Sequence, residues 1–233
     1  MTILQKFVSN GLPNHPNCNM TSISFITIHT TGNRNIGATA EAHARLQARG
    51  NDGRLASWHY TVDKDEIWQS FGDKQMCWHT GTRLGNENSI GIEICVNKRD
   101  GFRQACERAA WLCAYLLGKH CLRTSDLRQH HDWSGKNCPR ELRSGEWAIS
   151  WQDFLDMVEK SLMDCSDKDE IPILIALRDA GIRFDANHWR EVFKGSILPN
   201  QAWTKMLIAR VIEQRWRHLS ADAIGKAIME LIR

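Results

Sequence analysis

SFITIHTTGNRNIGATAEAHARLQARG, residues 24–50, passes from one periodicity to another within a single stretch. Phe25, Thr27 and His29 alternate with Ile26 and Ile28, the two-residue period of a strand with two distinct faces. TTGN, residues 30–33, is a turn. Residues 38–49 are rich in Ala, Arg, Leu and Gln, which are good helix formers, until Gly50 stops them. Strand, loop and helix in succession are the building unit of an α/β domain. The strand also ends on a histidine, and a side chain at the C-terminal end of a strand is held rigidly and faces a site rather than the core.

The same alternation continues outward. SWHYTVD (57–63) and EIWQSF (66–71) carry aromatic and β-branched residues at strand spacing around the polar turn Lys64 and Asp65, which predicts a hairpin. WHTG (78–81) and GNENS (85–89) read as a polar loop leading into SIGIEIC (89–95). There Ile90, Ile92 and Ile94 share one face, and Gly91, Glu93 and Cys95 share the other. Cys106, Ala109, Ala110, Cys113, Leu116 and Leu117 recur at helical spacing over residues 103–119; Trp147, Trp151, Phe154, Leu155, Val158 and Leu162 mark a second amphipathic helix. The expected fold is therefore α/β: a central, mostly mixed β-sheet flanked by helices, over residues 1–165. MDCSDKDE (163–170) has the polar composition of a linker. Beyond it strand patterning stops, and residues 166–233 are expected to form a small all-helical C-terminal domain, with Asp185, Asn200 and Ser220 as helix caps.

HHDWSGKNCP, residues 130–139, sets Cys138 eight positions after His130, with Ser134, Gly135 and Pro139 bending the chain into a tight, irregular loop. An imidazole and a thiolate are both good ligands for Zn2+, and a catalytic zinc takes three protein ligands and keeps a fourth position open. His29 is the best candidate for the third. The competing reading is a buried cysteine and two loop histidines without a metal. His15 and Cys18 resemble ligands superficially but have no partners in the sequence, and His59 is expected to pack beside the sheet.

Composition narrows the classes. The 233 residues carry a formal net charge of +3 and include eight cysteines, and the pI near 8.4 is mildly basic. There is no basic block of the kind that marks a nucleic-acid binder and no apolar run long enough for a membrane span. Residues 1–16 lack the features of a secretory signal, so synthesis in the cytoplasm and reduced thiols are expected.

Six motifs in order, ITIHTTGN, SWHYTVD, EIWQS, WHTG, NSIGIEIC and HHDWSGKNCP, span residues 23–138. In them the chain resembles the zinc-dependent N-acetylmuramoyl-L-alanine amidases found in many bacteriophage endolysins, a fold shared with animal peptidoglycan recognition proteins. The resemblance implies that His29, His130 and Cys138 bind Zn2+ and that Glu93 and Lys136 act in catalysis. It also implies that Tyr60 lies near the site and that Trp78 and His79 contact substrate, while His131 is a neighbour of the ligands. Chemistry agrees with that set. A carboxylate near a metal can serve as general base to water, and an ammonium two residues before Cys138 can meet a developing oxyanion. Tyr60 reads equally as an aromatic of the strand core. The implied activity is cleavage of the amide between N-acetylmuramic acid and L-alanine in peptidoglycan, acting on the cell wall after release or non-classical export. A non-catalytic peptidoglycan-binding module and a cytoplasmic amidase of muropeptide recycling are the alternatives. For residues 166–233, Trp189, Trp203 and Trp216 suggest wall targeting through stacking on sugars, against homo-oligomer formation through the C-terminal helices.

Overall fold

A computed structural model describes residues 1–165 apart from Cys121. The expected helical domain over 166–233 lies outside the described residues. Met1–Leu116 and Thr124–Met163 form one compact unit, and the site described below lies within it.

Six strands build one mixed sheet: β1 (Leu4–Gln5), β2 (Phe25–Thr30), β3 (Tyr60–Val62), β4 (Ile67–Gln69), β5 (Ser89–Ile94) and β6 (Leu127–Gln129), in the spatial order β1-β4-β3-β5-β2-β6. Only the β3–β4 hairpin is antiparallel; every other neighbouring pair is parallel. The hairpin turn is closed by Asp63, whose Oδ1 accepts from the backbone N–H groups of Asp65 and Glu66, both at 2.8 Å. The helices are α1 (Ala40–Ala48), α2 (Arg83–Asn88), α3 (Phe102–His120), α4 (His130–Ser134), α5 (Arg140–Ser144) and α6 (Trp151–Cys165). Thr39 caps α1, its side chain accepting from Ala42 N–H at 3.2 Å. Asp63 Oδ2 takes a second orphan donor, Ala40 N–H, at 2.8 Å, and so ties α1 to the hairpin.

The two faces of the sheet differ in chemistry because strand parity separates them. Ile26, Ile28, Ile90, Ile92 and Ile94 are fully buried on one face, each contributing roughly 1.5–3 kcal/mol. On the other face β2 and β5 lie in parallel register, with Thr27 beside Gly91 and His29 beside Glu93, and β3 adds Thr61 next to Glu93. Small and polar side chains here leave room for a site.

Two sequence expectations change. Residues 85–89 are largely helix, not loop: Thr82 caps α2, accepting from Gly85 N–H at 3.2 Å. Trp147 does not start the last helix. It sits in a 3-10 turn at φ 59°, packs edge-on against Phe102 and lies under the Arg34 guanidinium, 5.0 Å from its ring centre.

Candidate functional site

β2 delivers His29 at its C-terminal end, and α4 delivers His130 at its first residue. HHDWS is one helical turn rather than irregular loop. Its N-terminus is held by Asp132, which accepts from Gln129 N–H at 2.8 Å, and Gly135 closes it, donating to His131 C=O at 2.8 Å. The chain then doubles back. Cys138 N–H donates to Lys136 C=O at 2.7 Å, and Cys138 C=O accepts from His131 N–H at 2.9 Å, which folds the thiol onto the start of α4.

The three side chains meet. His29 Nδ1 is 3.0 Å from His130 Nδ1 and 3.8 Å from Cys138 Sγ, all three residues are buried, and their ligand atoms lie within 4.8 Å of one another. Among the described residues this is the one such group. Burial pushes His29 well below its ordinary pKa, helped by the charges of His79, His130 and Lys136. Burial and Lys136 bring His130 down to about 4, so both rings are neutral at pH 7 and each can offer a lone pair.

The other ring nitrogens show which atoms carry the protons. His79 Nε2 lies 3.1 Å from Ser89 C=O and must donate, since a carbonyl only accepts. Its Nδ1 is then the acceptor for His29 Nε2–H at 3.0 Å. His130 hydrogen-bonds the Thr80 backbone, and since its Nδ1 faces His29, we assign that bond to Nε2. Nδ1 of His29 and Nδ1 of His130 thus carry no protons and face one another as bare lone pairs, an arrangement that calls for a shared Lewis acid. Tetrahedral zinc with bonds of about 2.0–2.1 Å to nitrogen and 2.3 Å to sulfur separates its ligands by about 3.3 Å (N to N) and about 3.6 Å (N to S). The donor set fits that ion in kind and spacing. The Cys138 thiol is pushed up to about 12 by burial and by Glu93, against a backbone hydrogen bond from Thr30, so metal binding there must release its proton.

Glu93 lies in register beside His29 with Oε1 4.0 Å from His29 Nδ1. Its side chain is 16% exposed, and burial lifts the carboxyl to about 8, opposed by the charge of Lys136. Its Oε2 is buried without a hydrogen-bond partner. Lys136 is exposed on the loop before Cys138, close enough for its charge to act on His29, His130, Glu93 and Cys138.

Tyr60 is not brought to this group. It is the register partner of Ile92, on the isoleucine face; it is 1% exposed, its hydroxyl donates to Asp73, and burial followed by Asp73 raises its pKa. One step of strand parity separates it from the site, which is the strand-core placement that the sequence offered equally. His79 is at the site but has both ring nitrogens bonded within the protein, which leaves neither for substrate. Trp78 is half-buried beside it, its backbone N–H donating to Ser57 Oγ at 3.1 Å. His59 is fully buried just before β3, its ring bonded to Gly91 N–H and Gln75 C=O. His15 bonds Asn17 N–H and Gln75, and Cys18 is an exposed free thiol.

Sequence reasoning missed two supports. Asn86 Oδ1 accepts from His79 N–H, Thr80 N–H and Thr80 Oγ1–H at 3.0, 2.9 and 2.9 Å. Glu141, fully buried, accepts from Arg34 at 3.2 Å and Arg140 at 3.0 Å and so anchors the chain just beyond Cys138. Neither carries a periodic signal that a single sequence could reveal.

A mixed α/β sheet with a His2Cys donor set beside a half-buried carboxylate defines the class: an α/β domain whose strand ends gather three potential metal ligands. Residues 19–141 match the family model described as N-acetylmuramoyl-L-alanine amidase, and the chain belongs to that family. It is 41% identical over 144 residues to the N-acetylmuramoyl-L-alanine amidase XlyA of Bacillus subtilis strain 168, covering 61% of this chain and 48% of that protein. To CwlH of the same organism it is 35% identical over 164 residues, 69% of this chain and 62% of that protein. The chain thus spans between about half and three fifths of these relatives. The solved catalytic domain of XlyA superposes with a TM-score of 0.61 at 38% identity, over 68% of this chain and 99% of that one. A mutant endolysin from Bacillus subtilis gives 0.62 at 39%, with the same coverage.

Proposed function

We propose that the protein is a zinc-dependent N-acetylmuramoyl-L-alanine amidase that hydrolyses the bond between N-acetylmuramic acid and L-alanine in peptidoglycan of the bacterial cell wall. The observation that carries this reading is the register pair of His29 and Glu93, which sets a half-buried carboxylate beside the converging lone pairs of His29, His130 and Cys138. Family membership supports the substrate.

Bound by these three residues, a zinc ion supplies Lewis acidity, lowering the pKa of water and polarising a carbonyl. Positive charge among the donors also favours the ionised form of Glu93, which burial alone holds protonated near neutral pH. Glu93 takes a proton from the attacking water as its oxygen adds to the lactyl carbonyl. The same carboxyl hands that proton to the alanine nitrogen as the C–N bond breaks, leaving a free carboxylate on the sugar and a free amine on the peptide. Lys136 directs its ammonium toward the oxygen that becomes negative in between. Trp78 offers a ring surface at the mouth of the site for the substrate.

Purified walls treated with the protein should yield new alanine amino termini and no new reducing sugar ends. A chelator should abolish the release, and added zinc should restore it. Reducing ends as the product, or full activity in metal-free protein or in Cys138→Ala, would overturn the assignment.

A further inference from the structure

The turn Trp78 to Gly81 touches both histidines of the cluster from behind. His79 accepts the Nε2 proton of His29 at 3.0 Å, and the adjacent residue, Thr80, takes the far nitrogen of His130 with its backbone. We propose that this turn is a tautomer clamp. Its residues 79 and 80 each hold one histidine with the proton on Nε2, so that both Nδ1 atoms are bare and aimed at the same point. His79 is thereby a positioning residue for the metal rather than a substrate contact. The inference rests on the metal reading above.

The clamp is rigid at each joint. His79 is pinned at its far end by Ser89 C=O, and Ser89 Oγ is fixed in turn, accepting from Thr27 Oγ1 at 2.8 Å and donating to Gly85 C=O at 2.8 Å. The ring lies directly on the backbone of Gly91: a Cβ there would stand 2.7 Å from His79 Nδ1 and 2.9 Å from Cγ. Asn86, from α2, holds the N–H groups of both clamp residues with one oxygen. A ring fixed at both nitrogens and on one face cannot turn over to offer His29 a donor in place of an acceptor. Partners of this kind fix the tautomer and orientation of a ligating histidine, and their loss costs about 10- to 100-fold in metal affinity.

Nitrogen-15 NMR of histidine-labelled, metal-free protein reads the protonated nitrogen of each ring directly. The clamp requires His29, His79 and His130 to carry hydrogen on Nε2 and none on Nδ1; a proton on Nδ1 of His29 or of His130 would overturn it. Chelator-competition titration with zinc then compares the wild type with His79→Leu, which lacks an acceptor, and His79→Asn, which keeps one near the Nδ1 position. The expected result is a 10- to 100-fold weaker site in His79→Leu and partial recovery in His79→Asn. Unchanged zinc affinity in folded His79→Leu refutes the clamp while leaving the metal reading intact. Failure of the wild type to bind zinc refutes the metal reading, and the NMR result still decides the clamp. The same NMR result decides it if His79→Leu does not fold.

Discussion

Glu93 keeps a buried oxygen without a partner, a cost that a purely structural carboxylate would avoid by pairing. Replacing it by Gln removes the proton acceptor but retains size and polarity. Glu93→Gln should keep the fold and bind zinc as the wild type does, yet lose about 10²–10⁴ in kcat on purified walls; an unchanged kcat would move the role elsewhere. The same residue sets a pH dependence in the metal-free protein. Its pKa is raised from 4.5 to about 8, so its stabilising contribution is whole below pH 4.5 and is lost as pH rises through about 8. The histidines run the other way: their pKa values are depressed from 6.5, so their contribution is full above 6.5 and is lost as pH falls, for His130 through about 4. Between pH 6.5 and 8 the Glu93 loss therefore stands out. Urea midpoints of metal-free protein should fall over that interval in the wild type and stay nearly level in Glu93→Gln. At this scale sequence reading goes far where a residue acts on its own face. His130 and Cys138 stand out by their spacing and His29 by its place at a strand end, whereas Glu93 is singled out only by the family resemblance, and Tyr60 is carried to the opposite face by the two-residue period of the strand.

Among the elements, α2 shows how tightly the surroundings of the site are filled. An exchange of glycine for alanine inside a helix ordinarily stabilises by about 1 kcal/mol. At Gly85 the added Cβ would lie 2.5 Å from Thr80 Oγ1 and 2.8 Å from both Thr80 Cβ and Trp133 Cδ2. Trp133 is itself held, its indole N–H donating to Thr27 Oγ1 at 2.9 Å. Overpacking then outweighs propensity, and Gly85→Ala should lose about 1–3 kcal/mol, read as a lower urea midpoint; a rise in midpoint would contradict the packing. The main strands and the long helices could be read from the sequence because each repeats its period several times. β1 and β6 could not, since two or three residues do not establish a period and, unlike the equally short β3 and β4, neither is joined to a partner strand by a recognisable hairpin turn. α2 escaped because it is short and its one buried residue is Gly85, so it has no apolar stripe; tertiary contacts decide its shape.

For the whole molecule, the relation to the solved XlyA catalytic domain, which this chain matches over 99% of that domain's length, leads to a prediction about division. Residues 1–165 expressed alone should fold, bind zinc and cleave walls. We propose that residues 166–233 serve as a wall-targeting module, so the isolated segment should sediment with purified walls, and the full chain should lyse them at lower concentration than residues 1–165 do. If the segment stays in solution and residues 1–165 bind and lyse as well as the full chain, targeting is wrong, and light scattering then tests pairing of chains. The donor atoms have one more consequence at this scale. His29 is 101 residues from His130 and 109 from Cys138, and β6, which leads into α4, is a three-residue strand at the edge of the sheet, joined to β2 alone. A cation shared by these donors is therefore a rivet across about a hundred residues, of the loop size for which a covalent link removes about 4.7 kcal/mol of unfolded-chain entropy. Stripped of it, the edge should be the first part to peel, seen as faster amide exchange in Leu127–Gln129 and His130–Ser134 than in Ser89–Ile94. On the zinc reading proposed above, the supply of metal would then be coupled to the protein's lifetime: metal-free protein should be digested faster by a protease than zinc-loaded protein.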